Sequence, residues 1–437
     1  MVQTEAYLLH LAASRRDAGA GLANPGTVAD ALARRPTLSD EQVAMVHRIC
    51  RSGAAVDVIV GVAGAGKTFA LAAAYDAWTS SGHRVIGATL AARAAHQLTV
   101  GSGIRSSTLT RLLADLDRPG GGRLGPNHVV VVDEASMVGT RKLLELVRHA
   151  HSAGAKVVLI GDPCQLPEIE AGGAFAGLAR RGDRTALRTN RRQQEPWERQ
   201  ALSDIRLGRA EEAVAAYVAH GRIHHDPDPD VVRGRMIDDW WAATSHGVDV
   251  LMLAAHHRRV DALNQRARQR MRAAGRLGER ELQLGGRAYA AGDIVLALRN
   301  DYRHDLLNGT RGTITAIDQR ARRLVVTTDD RATVTIPFAY ADAGSLTHGY
   351  AMTIHKAEGA TVAIALVLAD ATMTRAHLYT AVSRGSDCNV IYLSTDDLRA
   401  EVAHVVEPAR EPIQVLIRII DRTEAKEMAI EAPHLTL

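Results

Sequence analysis

Gly61-Val-Ala-Gly-Ala-Gly-Lys-Thr68 follows the apolar run 56–60 and precedes the alanine-rich stretch 69–78. The order reads as strand, glycine loop, helix, the context in which G-x-x-x-x-G-K-[ST] means a phosphate-binding loop. Gly61, Gly64 and Gly66 allow backbone angles closed to other residues, so that amides can close around phosphate oxygens. Lys67 can reach the outer phosphates and Thr68 can offer its hydroxyl to Mg²⁺, while the helix N-terminus adds partial positive charge. A plain glycine turn before a buried helix would leave Lys67 facing inward without a partner. The stretch implies a nucleoside-triphosphate site on an α/β sheet.

Further stretches point to the same site. Val129-Val-Val-Val-Asp-Glu-Ala-Ser136 is a β-branched run ending in two acids. Fully buried parallel strands look like this, and ligands bind at their C-terminal ends. Asp133 is placed to hold Mg²⁺ and Glu134 to polarise the attacking water, although an acidic pair closing a strand can also cap a helix. A second apolar run, 156–160, breaks at Gly161-Asp-Pro-Cys-Gln-Leu-Pro167. That turn presents Gln165, whose neutral amide can sense a γ-phosphate. Arg192 closes 187–192 as a candidate charge-neutralising residue, with a solvated basic corner as the plainer reading. For Gln42 two readings stand: the N3 member of a capping box with Ser39, or an amide facing an adenine edge.

The 437 residues suffice for two or three cores, and no apolar run approaches the ~20 residues of a membrane span. The N-terminus has no basic lead and no cleavage site, which implies a cytoplasmic protein. Cys50, Cys164 and Cys388 are widely spaced and are expected as buried free thiols. A net charge of +4 carried mostly by arginine suits a polyanionic partner, but aromatics are only 4%, so base stacking must rest on very few side chains. The spacing predicts helices within 1–36 and over 91–98, 106–113 and 256–276. The last is basic almost all round, either as a solvated face or beside phosphates. Short alternating strands over 287–340, separated by Asp, Asn and Gly turns, predict a small β-barrel. An amphipathic helix is expected over 413–430 in a fraying tail. Of the nineteen histidines, all but His355 are read as structural or exposed.

The order of these motifs, with Leu346-Thr-His-Gly-Tyr-Ala-Met-Thr-Ile-His-Lys-Ala-Glu-Gly-Ala-Thr361 and Leu378-Tyr-Thr-Ala-Val-Ser-Arg-Gly385, resembles superfamily 1 DNA helicases of the RecD-like branch. It is most similar to the helicase half of conjugative relaxases of the TraA/TrwC (MobF) type, over roughly 36–395. The resemblance implies two RecA-like P-loop domains with parallel sheets and an SH3-like barrel inserted in the second. Its divisions are a helical segment 1–36, a first domain 37–190, a second domain 191–286 with 341–400, the insertion 287–340, and a helical tail 401–437. It implies ATP held with Mg²⁺ between the domains, Arg192 and Arg384 as arginine fingers, and 5′→3′ movement of about one nucleotide per cycle. Thr108, Thr353, His355 and Lys356 fall in segments that meet single-stranded DNA or couple it to ATP. A monomer serving a conjugation or DNA-repair apparatus is the implied setting. Residues 1–36 lack the relaxase's histidine cluster and tyrosine helix, so no nicking is expected. The loop after Leu113 is too short for a large strand-separating pin. Glu358 stands where the family usually has glutamine, which leaves a catalytically impaired DNA-binding remnant as the alternative function.

Overall fold

The computed structural model describes residues 1–394 apart from 169, 171 and 182–184, and then 412–423, 426 and 428–430. Two compact units emerge: Met1–Arg192, joined by described residues near the C-terminus, and Gln193–Thr423.

The first unit is a parallel six-stranded sheet ordered β3-β2-β4-β5-β1-β6. Its strands are β1 (Val56–Gly61), β2 (Arg84–Thr89), β3 (Ser106–Thr108), β4 (His128–Val132), β5 (Lys156–Gly161) and β6 (Thr185–Leu187). The strands β4, β5 and β1 at the middle of the sheet are valine- and isoleucine-rich because both faces are covered, with Val129–Val132 and 157–160 fully enclosed. On one face the helix Lys67–Ser80 buries its alanines and Trp78 with Met45 and Ile49; on the other, Leu143 and Leu146 of Thr140–Ala153 pack with Leu8 and Leu11. The helix expected over 106–113 is corrected. Ser106–Thr108 pairs in parallel with β2, and the helix starts only at Leu109, capped by Thr108.

In the second unit β7 (Ile223–Asp226), β8 (Val250–Ala254), β16 (Ala351–Thr353), β17 (Val362–Ala369) and β18 (Gly385–Ser394) form a second parallel sheet, ordered β16-β8-β17-β18-β7. Between β8 and β16 the chain makes a hairpin of β9 (Leu282–Leu284) and β10 (Arg287–Tyr289). An antiparallel sheet follows, ordered β14-β13-β12-β11-β15, from β11 (Ile294–Ala297), β12 (Arg311–Asp318), β13 (Arg323–Thr328), β14 (Thr333–Pro337) and β15 (Leu346–His348). It has its own apolar cluster around Leu306, Ile314, Leu324 and Phe338.

The helix expected over 413–430 is shorter, Pro412–Asp421, and buries Leu416, Ile419 and Ile420. Of the expected tail, 401–411, 424–425, 427 and 431–437 lie outside the described residues. Cys50 is buried, but Cys164 and Cys388 are half-buried, a correction to the expectation for all three.

Candidate functional site

Parallel pairing of β1, β4 and β5 brings the ends of three strands together. Gly61-to-Thr68, Asp133-Glu134 and Asp162-to-Gln165 leave these strands on one edge of the sheet. Gly66 takes a left-handed conformation (φ 72°) and begins the helix Lys67–Ser80 with no side-chain cap. An uncapped helix start of this kind is suited to an anion. Two glycines are required by close approach. A Cβ on Gly66 would stand 2.4 Å from the Gln42 amide nitrogen, and one on Gly64 would stand 2.6 Å from Arg192 Cβ.

Gln42 fulfils the capping-box reading: Ser39 and Gln42 cap reciprocally, with Ser39 N–H donating to Gln42 Oε1 at 3.0 Å. The same amide also donates from Nε2 to the carbonyls of Ala65 (3.1 Å) and Gly66 (3.2 Å), so it braces the loop from below. A third segment locks in. Arg191 N–H donates to Gly64 O at 3.0 Å, Asn190 Oδ1 accepts from Arg192 N–H, and Glu41 Oε2 accepts from the amides of Arg188 and Thr189. Glu41, Asn190 and Asp162 were not among the residues singled out from sequence. A buried acid inside a Gly-Asp-Pro turn was the available signal for the last.

Lys67 Nζ donates to Gly61 O at 2.9 Å and to Val62 O at 3.3 Å, folding back over its own loop. Burial pushes its amine below the ordinary value; the Asp133 and Asp162 carboxylates pull it back up, and Arg192 pushes it down. Burial likewise raises the Asp133 carboxyl, against the pull of Lys67 and of the Glu134 amide that donates to Asp133 Oδ1 at 2.9 Å. Glu134 holds φ at 56°, rare for a residue with a side chain. Gln165 closes the next turn through its N–H to Asp162 O at 3.1 Å. Thr68, in the first helical turn, packs its methyl toward Gly101. The Thr68 hydroxyl and Asp133 carboxylate are oxygen donors of the kind Mg²⁺ takes, so the residues present fit that ion.

The remaining sequence candidates lie elsewhere. Thr108 Oγ1 accepts from Arg111 N–H at 3.3 Å as a helix cap in the first unit. Thr353, His355, Lys356 and Glu358 sit at and just after the end of β16 in the second unit. Thr353 is buried, and its Oγ1 accepts from Lys356 N–H at 3.4 Å. The His355 ring lies 5.6 Å from that of His377, and Glu358 N–H turns back to His355 O. Lys356 Nζ donates to Asn308 Oδ1 at 2.9 Å, and burial pushes its amine down. Arg384 is buried, with Nε donating to Thr380 O and Nη2 to Ser383 Oγ, both at 2.8 Å. Gln193, also overlooked from sequence, donates to the carbonyls on either side of it, Ser383 O (3.2 Å) and Gly385 O (2.7 Å).

The arginine-rich helix, His257–Ala273, is less basic in effect than its sequence. Arg268 binds Asp293 and Glu281, Arg272 binds Glu281, Arg266 binds Asp230 and Arg259 faces Asp370. A cleft of about 630 Å³ beside it is lined by Gln265, Gln269, Arg287 and His348 among others. Carboxylates thus take up much of the charge that had suggested phosphate.

A family model described as an AAA domain matches residues 37–228. The conjugal transfer protein TraA of Rhizobium radiobacter is 35% identical over 415 residues, covering 93% of this chain and 36% of that protein. The chain belongs to the RecD-like branch of superfamily 1. The ATP-dependent RecD2 DNA helicase of Deinococcus radiodurans is 27% identical and covers 81% of this RecD-like chain. The chain spans about a third of the length of the TraA relatives it matches. Among solved structures, Pif1 helicase from Bacteroides in complex with ADP-AlF3 and ssDNA superposes with a TM-score of 0.55 at 18% identity, covering 84% of this chain and 96% of that one. Pif1 from Candida albicans gives 0.52 at 17%, covering 83% and 95%. At these identities the likeness is one of fold, an α/β architecture with parallel sheets. No helix among the described residues is long and apolar enough to cross a membrane.

Proposed function

We propose that this chain is an ATP-hydrolysing motor that moves on single-stranded DNA with 5′→3′ polarity, the helicase module of a relaxase-type protein. The observation that carries the reading is the interlocked loop: Gln42 below, the 190–192 segment beside it, and Lys67 at an uncapped helix start, folded onto the Gly61 and Val62 carbonyls within the field of Asp133 and Asp162. When ATP enters, Lys67 exchanges its two loop carbonyls for phosphate oxygens. Glu134 is the group that takes the proton of the attacking water, and Gln165 reads the γ-phosphate. Thr68 and Asp133 would hold Mg²⁺, which supplies positive charge to the phosphates when bound. Arg192 and Arg384 neutralise charge that develops on the transferred group. The antiparallel sheet of the second unit is read as the SH3-like insertion, and Thr108, Thr353, His355, Lys356 and Glu358 as part of the DNA path. A monomer working in the cytoplasm, in conjugation or DNA repair, completes the reading.

The test is ATP turnover by the purified chain with and without single-stranded DNA. Turnover stimulated by DNA and abolished in Lys67→Ala is the expected result. A parent that binds DNA but does not hydrolyse ATP would instead establish the impaired, DNA-binding remnant.

A further inference from the structure

Stacking on DNA bases needs exposed aromatic rings, and this chain has few. In the second unit the tryptophans and nearly all tyrosines are buried or half-buried, with Trp240, Tyr217, Tyr289, Tyr350 and Tyr392 essentially inaccessible. Tyr302 differs: 55% of it is exposed, at the tip of the loop that joins β11 to β12.

That tip is built, not slack. Asp301 and Leu306 form a β-bridge with both backbone bonds made (2.7 and 3.0 Å), and Leu306 is wholly buried in the antiparallel sheet's core. Asp301 also accepts from Arg303 N–H at 3.1 Å and pairs with His304 at 2.8 Å. Arg299 is anchored at its backbone by the Tyr340 hydroxyl. The loop ends at Asn308, whose Oδ1 receives Lys356 Nζ and whose N–H donates to Asn300 Oδ1. One pinned loop therefore presents an aromatic ring between Arg299 and Arg303 and is joined by a direct hydrogen bond to the segment after β16.

We propose that Tyr302 is a base-stacking residue for single-stranded DNA, flanked by Arg299 and Arg303 at the backbone phosphates and registered to the Thr353-to-Lys356 segment through Asn308. The inference rests on the proposed single-strand reading and deepens it. Ring faces accept any base, so the contact is indifferent to sequence. Because the loop is held at Asp301 and Leu306, the ring is offered at little ordering cost.

The experiment is fluorescence anisotropy with oligo-dT and with an abasic oligomer of equal length, comparing the parent with Tyr302→Phe and Tyr302→Leu. The expected result is a loss of roughly 5- to 100-fold in oligo-dT affinity for Tyr302→Leu, the range of one stacked base. Tyr302→Phe should keep parental affinity, and abasic binding should not change in either variant. Equal oligo-dT affinity in Tyr302→Leu, or an equal loss on the abasic oligomer, overturns the stacking role and leaves the proposed motor standing. A parent that binds neither oligomer overturns both readings.

Discussion

Asp57 and Lys156 are both fully buried and lie 2.6 Å apart at the end of the first sheet away from the phosphate loop. The carboxylate is completed by Arg48 at 3.0 Å and Ser52 at 2.6 Å, and the amine by Ala54 O at 2.7 Å. Removing one member leaves the other charged and dry, so Asp57→Ala is expected to cost about 3–5 kcal/mol, read as a lowered urea midpoint. The neighbouring Cys50 thiol is pushed up to about 12 by burial and is inert at neutral pH for that reason. Glu358 poses a question of the opposite kind. If its charge faces phosphate at ~5 Å, with an effective dielectric of ~20, the cost before screening is about 3 kcal/mol. Its neighbour Lys356 directs its amine to Asn308. Glu358→Gln is expected to bind oligo-dT several-fold more tightly at one fixed salt concentration. Unchanged affinity in a side-by-side titration would assign Glu358 a structural pairing.

At the scale of elements, the helix His257–Ala273 shows how a charge run can be internal bracing. Asp293, wholly buried, accepts from Arg268, from the Ala290 amide and from the Tyr350 hydroxyl, and so ties this helix to the loop before β11 and to the segment before β16. Outside it, Glu281 is held below its ordinary value of 4.5, mainly by its bond from Arg268. A carboxyl depressed in the folded state gives stabilisation that is whole above its unfolded value and lost as pH falls through the folded one. Denaturant midpoints measured from pH 7 down to pH 3 should therefore fall less steeply for Glu281→Gln than for the parent. Parallel curves would show that Arg268 gains its hold from Asp293 alone.

For the whole molecule, the two arginines proposed to serve the nucleotide are held very differently. Arg192 packs beside Gly64 through the backbone of its own segment, whereas Arg384 is fixed by Thr380 and Ser383 and bracketed by Gln193. Arg192→Ala and Arg384→Ala are each expected to lower the rate of ATP turnover by ~10³-fold, the scale of arginine fingers, with much smaller effects on ATP affinity. Single-turnover rates beside nucleotide-binding curves separate the two quantities. A near-parental rate in either variant would reduce that arginine to a local structural charge.

The phosphate loop, the buried valine strands and the alternating strands of the antiparallel sheet were legible because each depends on local rules. Glycine spacing, β-branched runs and two-residue alternation fix backbone shape over a few residues, whatever lies far away. Thr108 shows the limit of those rules: the same hydroxyl-rich run reads as a helix start, and only the free edge of β2 made Ser106–Thr108 a strand. The arginines of 257–273 show it again, because their partners at 230, 281, 293 and 370 are separated from them in sequence. Gln42 satisfied its local capping rule and, with the other end of the same amide, a contact 23 residues away. By itself, then, the sequence determined most of the elements and the order of strand, glycine loop and helix. Tertiary structure alone decided which charges were neutralised, which aromatic rings stayed in solvent and which backbone braced the loop, because each depends on what distant segments bring within about 3 Å.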